Sequence, residues 1–391
     1  MKKWLIPLLI SMLLLNGCAW IKSWGDDDDV DAPAELVDFE PSLKVGKVWS
    51  TGAGAGLDEA GRQLRPIYED GKLYVADYKG ALLSLDASNG RKNWEIKTKL
   101  PFSGGPGLHN DLLLMGTENG EVFAFDATSG SQLWSATVTS EVLAKPVVGD
   151  GIVVVRCIDG RIFGLDVDTG RRVWVYDHSV PLLTLRGNSV PLLRAGVVFI
   201  GYDGGQVVAI KLADGTLMWE QTLVTIEGRT ELDRLSDIDG QLVFVASDLL
   251  VSSYKSRLAS LTSDSGRLLW FKDVSSATGV SVERVNLAVS DKDGNVWLLD
   301  RRNGAEFWKQ DQLAHRGLTR PVFFGSFVVV GDYKGYLHWY SVDDGRLVAR
   351  DKVGGDGFTG PPLVVGNTLY VMTNKGEIAA YRAGAALTRA D

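Results

Sequence analysis

Residue types that commonly carry catalysis or bind metals are few in this chain and far apart. The chain has 391 residues, and its four histidines are His109, His178, His315 and His338. None of them has metal-ligand spacing, and neither an HExxH nor a GxSxG motif occurs. The glycine-rich TGAGAG at 51–56 is not followed by a helical pattern, which predicts a loop and not a phosphate-binding turn. The sequence therefore predicts no catalytic residue, no metal site and no cofactor.

One cysteine, Cys18, lies in a context that predicts covalent modification. Two lysines at 2–3 precede an apolar stretch at 5–15, an order typical of a secretory signal and too short for a membrane span. The following LNGC, ending at Cys18, resembles the bacterial lipobox, in which the cysteine is lipidated and begins the mature chain. We predict a signal peptide over 1–17 and a lipid anchor at Cys18; a signal peptide with a chance cysteine is the alternative. By resemblance to the bacterial sorting pattern, Ala19 favours the outer membrane.

Residues 18–41 are predicted to form the lipidated N-terminus and a flexible tether. The run DDDD at 26–29 has no apolar period, which is typical of a solvated spacer; a calcium site is the alternative. The formal net charge is −8, so no nucleic-acid partner is expected. Once Cys18 is lipidated, Cys157 has no partner for a disulfide, and its apolar strand predicts a buried side chain.

A phrase repeated about every 40 residues defines the elements of the fold. Each copy has alternating side chains, an internal glycine and usually a closing tryptophan, as in GALLSLDASNGRKNW at 80–94. The eight copies begin 40, 40, 45, 51, 38, 41 and 41 residues apart, at Gly80, Gly120, Gly160, Gly205, Ser256, Gly294, Gly335 and Gly376. A period of this length is typical of a β-propeller with one blade per repeat.

Each repeat predicts four short antiparallel strands. In the first copy, apolar runs at 73–76 and 82–85 flank a tight turn, and a third run at 93–96 follows a second turn. A proline precedes most copies, which suits the first residue of an upstream strand. The fold class is therefore all-β, an eight-bladed propeller.

The ends of the chain predict a closed ring. A strand around Trp49 has no complete repeat before it, and the last repeat lacks its closing strand. We expect the N-terminal strand to complete the last blade, because closure removes an exposed sheet edge. The predicted propeller covers 42–385, and 386–391 is a C-terminal tail.

Seven of the eight closing positions hold tryptophan. Recurrence in every blade favours packing between blades; an aromatic binding surface is the alternative. The residues are Trp49, Trp94, Trp134, Trp174, Trp219, Trp270 and Trp308, with Ala349 at the eighth position.

Two adjacent repeats carry insertions, at 180–191 and 228–240. Insertions in repeat proteins often map to a binding face, and an apolar anchor beside a charge is how protein partners are held. We therefore predict partner binding here, the alternative being packing and pairing inside the molecule. The first insertion carries Leu183, Leu185 and Arg186, and the second carries Arg229, Asp233, Arg234, Asp237 and Asp239.

The repeat resembles that of the quinone-dependent dehydrogenases, which are also eight-bladed. Those enzymes share a vicinal cysteine pair, a calcium site, a catalytic aspartate and extra loops. This chain has no vicinal cysteine pair and little length beyond its blades. The repeat therefore predicts the fold and not the cofactor.

Taken together, the lipobox, the tryptophan repeat and three phrases resemble the BamB family of lipoproteins of the β-barrel assembly machinery. The phrases are LTLRGNSVP at 183–191, TELDRLSDID at 230–239 and VVGDYKGYLHW at 329–339. The resemblance covers the whole mature chain, although the chain passes directly into a strand after Gly240, where the family pattern is longer.

The resemblance implies a non-catalytic scaffold on the periplasmic side of the outer membrane. It would bind a periplasmic POTRA domain of BamA and assist insertion of β-barrel proteins. The family's BamA-contact residues fall on Leu183, Leu185, Arg186, Asp237 and Asp239.

Two other functions remain open from the sequence, a quinone-dependent enzyme and a propeller that binds glycans. A second binding mode is also open for the scaffold. The outer strand of a blade could pair with an extended strand of an unfolded outer-membrane β-barrel protein.

Overall fold

The structure is a computed structural model that describes residues 32–58, 62–180, 189–223 and 237–386. Within those ranges the chain forms eight sheets, each with four antiparallel strands, and one sheet has a short fifth strand that pairs in parallel. The same ranges contain no helix, and therefore none that could cross a membrane. The prediction of an all-β, eight-bladed propeller is confirmed.

We number the blades from 1 to 8 in chain order. Blade 1 contains Ile67–Glu69, Lys72–Ala76, Ala81–Asp86 and Lys92–Lys97. Blade 2 contains Phe102–His109, Leu112–Thr117, Glu121–Asp126 and Gln132–Thr137, and its first strand also pairs in parallel with Gln63–Leu64. Blade 3 contains Val147–Gly149, Ile152–Arg156, Ile162–Asp166 and Arg172–Tyr176. Blade 4 contains Leu192–Arg194, Val197–Gly201, Gln206–Lys211 and Leu217–Thr222.

The second half of the ring continues the pattern. Blade 5 contains Val243–Val245, Asp248–Ser252, Leu258–Thr262 and Leu268–Lys272. Blade 6 contains Val280–Glu283, Asn286–Ser290, Val296–Asp300 and Glu306–Gln310. Blade 7 contains Val322–Phe324, Phe327–Gly331, Tyr336–Ser341 and Leu347–Lys352. Blade 8 contains Leu363–Val365, Thr368–Met372, Glu377–Ala386 and the N-terminal strand Leu43–Gly52, which pairs antiparallel with Glu377–Ala386.

The closing tryptophans join each blade to the next. Trp134 of blade 2 donates its indole N–H to the carbonyl oxygen of Val167 in blade 3, at 2.9 Å. Its ring lies so close to Gly170 that an added Cβ would stand 2.5 Å from Trp134 Cε3, and the φ of +69° also favours glycine there. The interpretation of these tryptophans as packing between blades is confirmed. The other indole N–H bonds are Trp49 to Ala87, Trp94 to Ala127, Trp174 to Leu212, Trp219 to Ser263, Trp270 to Arg301 and Trp308 to Val342.

The core lies between the blades. One cluster places Leu114 and Val122 of blade 2 against Val153 and Phe163 of blade 3. Cys157 is fully buried in the same cluster, as predicted, and burial raises the pKa of its thiol to about 11. The thiol therefore stays protonated at neutral pH and is a poor nucleophile.

Part of the segment predicted as a tether lies along the propeller. The amide of Ala34 donates to the carbonyl of Ala314, and Arg316 Nη1 donates to the carbonyl of Ala34 at 2.8 Å. Arg350 Nη1 donates to the carbonyl of Val37 at 3.0 Å. The guanidinium of Arg350 also lies 5.0 Å from the ring centre of Phe39. Residues 34–39 are therefore held by arginines of blade 7 and of the connection before it.

The outermost strands of blades 2 to 6 pair on one side only and carry exposed apolar side chains. These include Leu133, Val173, Met218, Leu269 and Phe307. Pairing of such an edge with an unfolded β-barrel strand stays a prediction.

Candidate partner-binding site

The two insertions lie in neighbouring connections of the ring. The first leaves blade 3 after Tyr176 and enters blade 4 at Leu192; the second leaves blade 4 after Thr222 and enters blade 5 at Val243. In a blade of four antiparallel strands, the last strand ends on the face where the first began. Both connections therefore begin and end on the same face, which we call the two-loop face.

Only part of the predicted site lies within the described residues. Leu183, Leu185 and Arg186 fall in 181–188, which lie outside them, as does Cys18. Asp237 and Asp239 are described, at the end of the second insertion.

Asp237 is an interior residue at the base of the second insertion. It is 1% exposed, and its Oδ1 accepts a hydrogen bond from the amide of Gly204 at 3.2 Å. Its carbonyl oxygen accepts a bond from the amide of Tyr254 at 2.9 Å. The carboxylate and the backbone of Asp237 thus connect the second insertion to turns of blades 4 and 5.

Arg156 connects the base of the first insertion to the same region. This buried side chain donates from Nη1 to the carbonyl oxygen of Ser189 at 3.0 Å and to its Oγ at 2.9 Å. Its Nη2 lies 3.9 Å from Asp203 Oδ1, one residue before the glycine that bonds Asp237. We call Arg156, Ser189, Asp203 and Asp237 the Arg156 network; it ties the described ends of both insertions together.

Two aromatic rings, those of Tyr202 and His178, stack beside Arg156. The guanidinium of Arg156 lies 5.1 Å from the ring centre of Tyr202, a cation–π distance. The ring of His178 stacks on the same tyrosine at 3.9 Å and 12°. Tyr202 donates its hydroxyl proton to the carbonyl of Gly160 at 3.0 Å. Arg156 therefore has one well-defined position from which to hold the insertions.

Two carboxyl groups, Asp203 in the network and Asp239 near it, are shifted towards the neutral form. Burial raises the pKa of Asp203 to about 6, against the attraction of Arg156 and with repulsion from Asp237. Burial, then repulsion from Asp203 and Asp237, raises the pKa of Asp239 to about 8. Within the described ranges, Asp239 Oδ1 has no hydrogen-bond partner. Burial and mutual repulsion at the base of the two-loop face therefore favour a protonated carboxyl group at Asp239.

We predict that Asp239→Asn makes the protein more stable at pH 7.5. The folded pKa of about 8 lies above the ordinary 3.8, so Asp239 contributes stability below about pH 4 that is lost as pH rises through 8. Removing this titration should raise the free energy of unfolding at pH 7.5 by at least about 1 kcal/mol. Urea unfolding at pH 5 and 7.5 measures it, with the exposed Asp273→Asn as control. Equal stability of wild type and Asp239→Asn at both pH values would contradict the prediction.

Three residues of this site, Arg156, Tyr202 and Asp203, were not predicted from the sequence. One signal was available: Arg156 is a charged residue at the end of the apolar run IVVVR in blade 3. A charge on a buried strand requires a partner, but the partner, Asp203, is 47 residues away and belongs to the next blade. No group of three or more His, Cys, Asp or Glu side chains among the residues that the structure describes could hold a metal ion.

Comparison with known proteins assigns the chain to a class and then to a family. A family model described as "Outer membrane protein assembly factor BamB" matches residues 94–310. Proteins of that name from Xanthomonas campestris pv. campestris and Pseudomonas aeruginosa are 44% and 49% identical to it. The first alignment covers 94% of both chains, and the second covers 89% of this chain and 92% of the relative. The crystal structure of BamB from Moraxella catarrhalis superposes with a TM-score of 0.80 at 27% identity, over 87% of this chain and all of that one.

The fold and these matches define a tryptophan-docked propeller scaffold of the PQQ-like repeat class. The chain belongs to the BamB family of outer membrane protein assembly factors.

The dehydrogenases share the fold alone. Quinohemoprotein alcohol dehydrogenase from Comamonas testosteroni superposes with a TM-score of 0.70 over 89% of this chain and 78% of that one. Its sequence identity is only 13%. The family relatives are assembly factors, so the chain is a non-catalytic scaffold, and neither an enzyme nor a glycan-binding propeller is favoured.

Proposed function

We propose that the two-loop face binds a periplasmic POTRA domain of BamA. The chain would be anchored to the outer membrane through lipidated Cys18 and would face the periplasm. From there it would assist the folding and insertion of β-barrel proteins. The relatives' name supports a role in outer membrane protein assembly.

The observation that carries this proposal is the Arg156 network. One buried arginine bonds Ser189 at the end of the first insertion and approaches Asp203, next to the turn that bonds Asp237. The network joins the described ends of the two insertions. Such a connection suits a binding face, because ordering its parts in advance reduces the entropy lost on association.

Different roles follow for the two sets of residues. Leu183, Leu185 and Arg186 lie in the middle of the first insertion and would supply the apolar anchor and the charge. Asp237 is interior, so it would act as a positioning residue that holds the insertions and would not contact BamA itself.

We predict that Arg186→Glu weakens binding to the BamA periplasmic region at least tenfold, because truncating a central arginine of an interface typically costs about 2 kcal/mol or more. Biolayer interferometry of the mature protein in detergent measures it. Arg267→Glu is the matched control, since it makes the same charge change at an exposed turn of blade 5.

Equal binding by wild type, Arg186→Glu and Arg267→Glu would place the partner site elsewhere on the propeller. Equal weakening of BamA binding by both substitutions would mean that the net charge of the protein, and not the position of Arg186, determines the affinity. Absence of binding by the wild type would overturn the BamA assignment itself.

A further inference from the structure

The centre of the ring holds a cavity of about 220 Å³ that the partner-binding site does not use. Six of its lining residues occupy one position of the repeat, directly before a proline that precedes the innermost strand or, in blade 2, lies within it. That residue is Arg65 in blade 1, Lys145 in blade 3 and Arg320 in blade 7. A residue before proline is confined to extended backbone, so the repeat places each of these residues in the same way. Uncharged residues stand at this position in three other blades and also line the cavity: Gly105, Val190 and Pro361.

Three cationic side chains therefore line the same cavity. No aspartate or glutamate in the described part of the chain forms an ion pair with Arg65, Lys145 or Arg320. Arg320 Nη1 donates to Gln241 Oε1 at 2.9 Å, a neutral partner. The Nε atoms of Arg65 and Arg320 have no hydrogen-bond partner in the same ranges.

The pKa values of the three cationic groups are lowered, which shows that their charged forms are destabilised in this cavity. Burial lowers the pKa of Lys145, and repulsion by Arg65 and Arg320 lowers it further. Burial, then repulsion by Arg65, lowers the pKa of Arg320 to about 10, and burial lowers the pKa of Arg65. Like charges held together without a counter-charge destabilise a fold, so an anion among them would relieve a penalty that already exists.

Acidic residues are nearby but in a different space. Asp58, Asp239 and Asp356 line a wider cavity of about 710 Å³ that shares Gln63 and Arg65 with the central one. This wider cavity also contains Arg62 and Lys375, which pair with Asp58 and Asp356 respectively. The carboxylates of that cavity are therefore partly satisfied by its own cations.

We propose that the central cavity is a binding site for a small oxyanion with two or more negative charges, held by Arg65, Lys145 and Arg320. Guanidinium groups match the paired oxygens of carboxylate and phosphate groups, and a lysine adds a point charge. The volume of 220 Å³ corresponds to about seven water molecules, the size of a small di- or tricarboxylate or a pyrophosphate. The shared chemistry is a multivalent oxyanion, and the carboxylate and phosphate sources are separated by experiment.

The first test is direct and needs no variant. Equilibrium dialysis of the mature protein in detergent against labelled citrate, and separately against labelled pyrophosphate, should show saturable binding near one per chain. Binding of citrate alone identifies a carboxylate site, and binding of pyrophosphate alone identifies a phosphate site. Absence of saturable binding for both overturns the proposal.

The second test uses the direction in which a substitution changes the melting temperature. Without oxyanion, Lys145→Met should raise the melting temperature, because the substitution removes repulsion among the three cations. With oxyanion, the apparent affinity obtained from the rise in melting temperature should be at least tenfold weaker than in wild type. Ligand stabilisation saturates, whereas general salting-out by these ions does not. Lys97→Met, at an exposed strand end, is the matched control and should behave as wild type. A lower melting temperature for Lys145→Met together with an unchanged oxyanion response would overturn the site.

Discussion

Trp134→Ala is expected to lower the free energy of unfolding by about 3–5 kcal/mol, the usual cost of truncating a buried tryptophan. The side chain is 9% exposed and bridges blades 2 and 3. Its removal opens a gap above Gly170, where the glycine cannot fill the space, and breaks the 2.9 Å bond to Val167. Urea unfolding followed by tryptophan-independent circular dichroism measures the change.

The neighbouring Leu133 provides a matched control on the same strand. It is 54% exposed, so Leu133→Ala should change stability by no more than about 0.5 kcal/mol. Similar losses for Trp134→Ala and Leu133→Ala, or a Trp134→Ala protein as stable as wild type, would contradict the interpretation that the tryptophans hold the blades together.

Arg316→Met is expected to destabilise the protein by about 3–5 kcal/mol, because it leaves a buried carboxylate without the arginine that neutralises its charge. Asp332 is 1% exposed and accepts a hydrogen bond from Arg316 Nε at 2.8 Å. Arg316 Nη2 lies 2.7 Å from the same carboxylate oxygen and completes the ion pair. Burial opposes ionisation of Asp332, yet the bonds from His338, the Tyr336 amide and Arg316 keep its pKa below the ordinary value. The carboxylate is therefore charged at neutral pH and needs the arginine.

An exposed pair in the same blade is the control for this prediction. Arg346 and Asp344 lie 3.9 Å apart with Arg346 69% exposed, so Arg346→Met should cost less than about 1 kcal/mol. The measurement is urea unfolding of both variants. Arg316→Met should also free Ala34, since Arg316 Nη1 bonds its carbonyl, and so speed proteolysis before residue 42. Equal stability of the two variants would show that the buried pair contributes no more than a surface pair.

The repeat made the fold predictable because each copy carries its own strand and turn signals. Gly170 and Trp134 recur in the repeat for one reason, the contact between a ring and a turn in the next blade. The position of residues 34–39 could not be predicted in this way. Their contacts are with Arg316 and Arg350, about 280 and 310 residues away, and the local sequence has no strand period.

The position of the candidate site in the ring could be predicted from the sequence, but the contacts that hold its residues could not. The irregular spacing of the repeats indicated where the insertions lie, and Asp237 lies at the base of one of them. Its buried position was not predictable, because a short acidic stretch such as DID reads equally well as a solvent-facing loop. The role of Arg156 depends on Ser189 and Asp203, which come together only when blades 3 and 4 pack.

The most direct test of the central claim, that the two-loop face docks BamA, is site-specific photocrosslinking in intact cells. A photoreactive amino acid at Leu183 should yield a crosslink to the periplasmic region of BamA. The same amino acid at Leu133, on the outer strand of blade 2, should yield none. A BamA crosslink from Leu133 without one from Leu183 would contradict the account and move the partner to the outer edge of the blades.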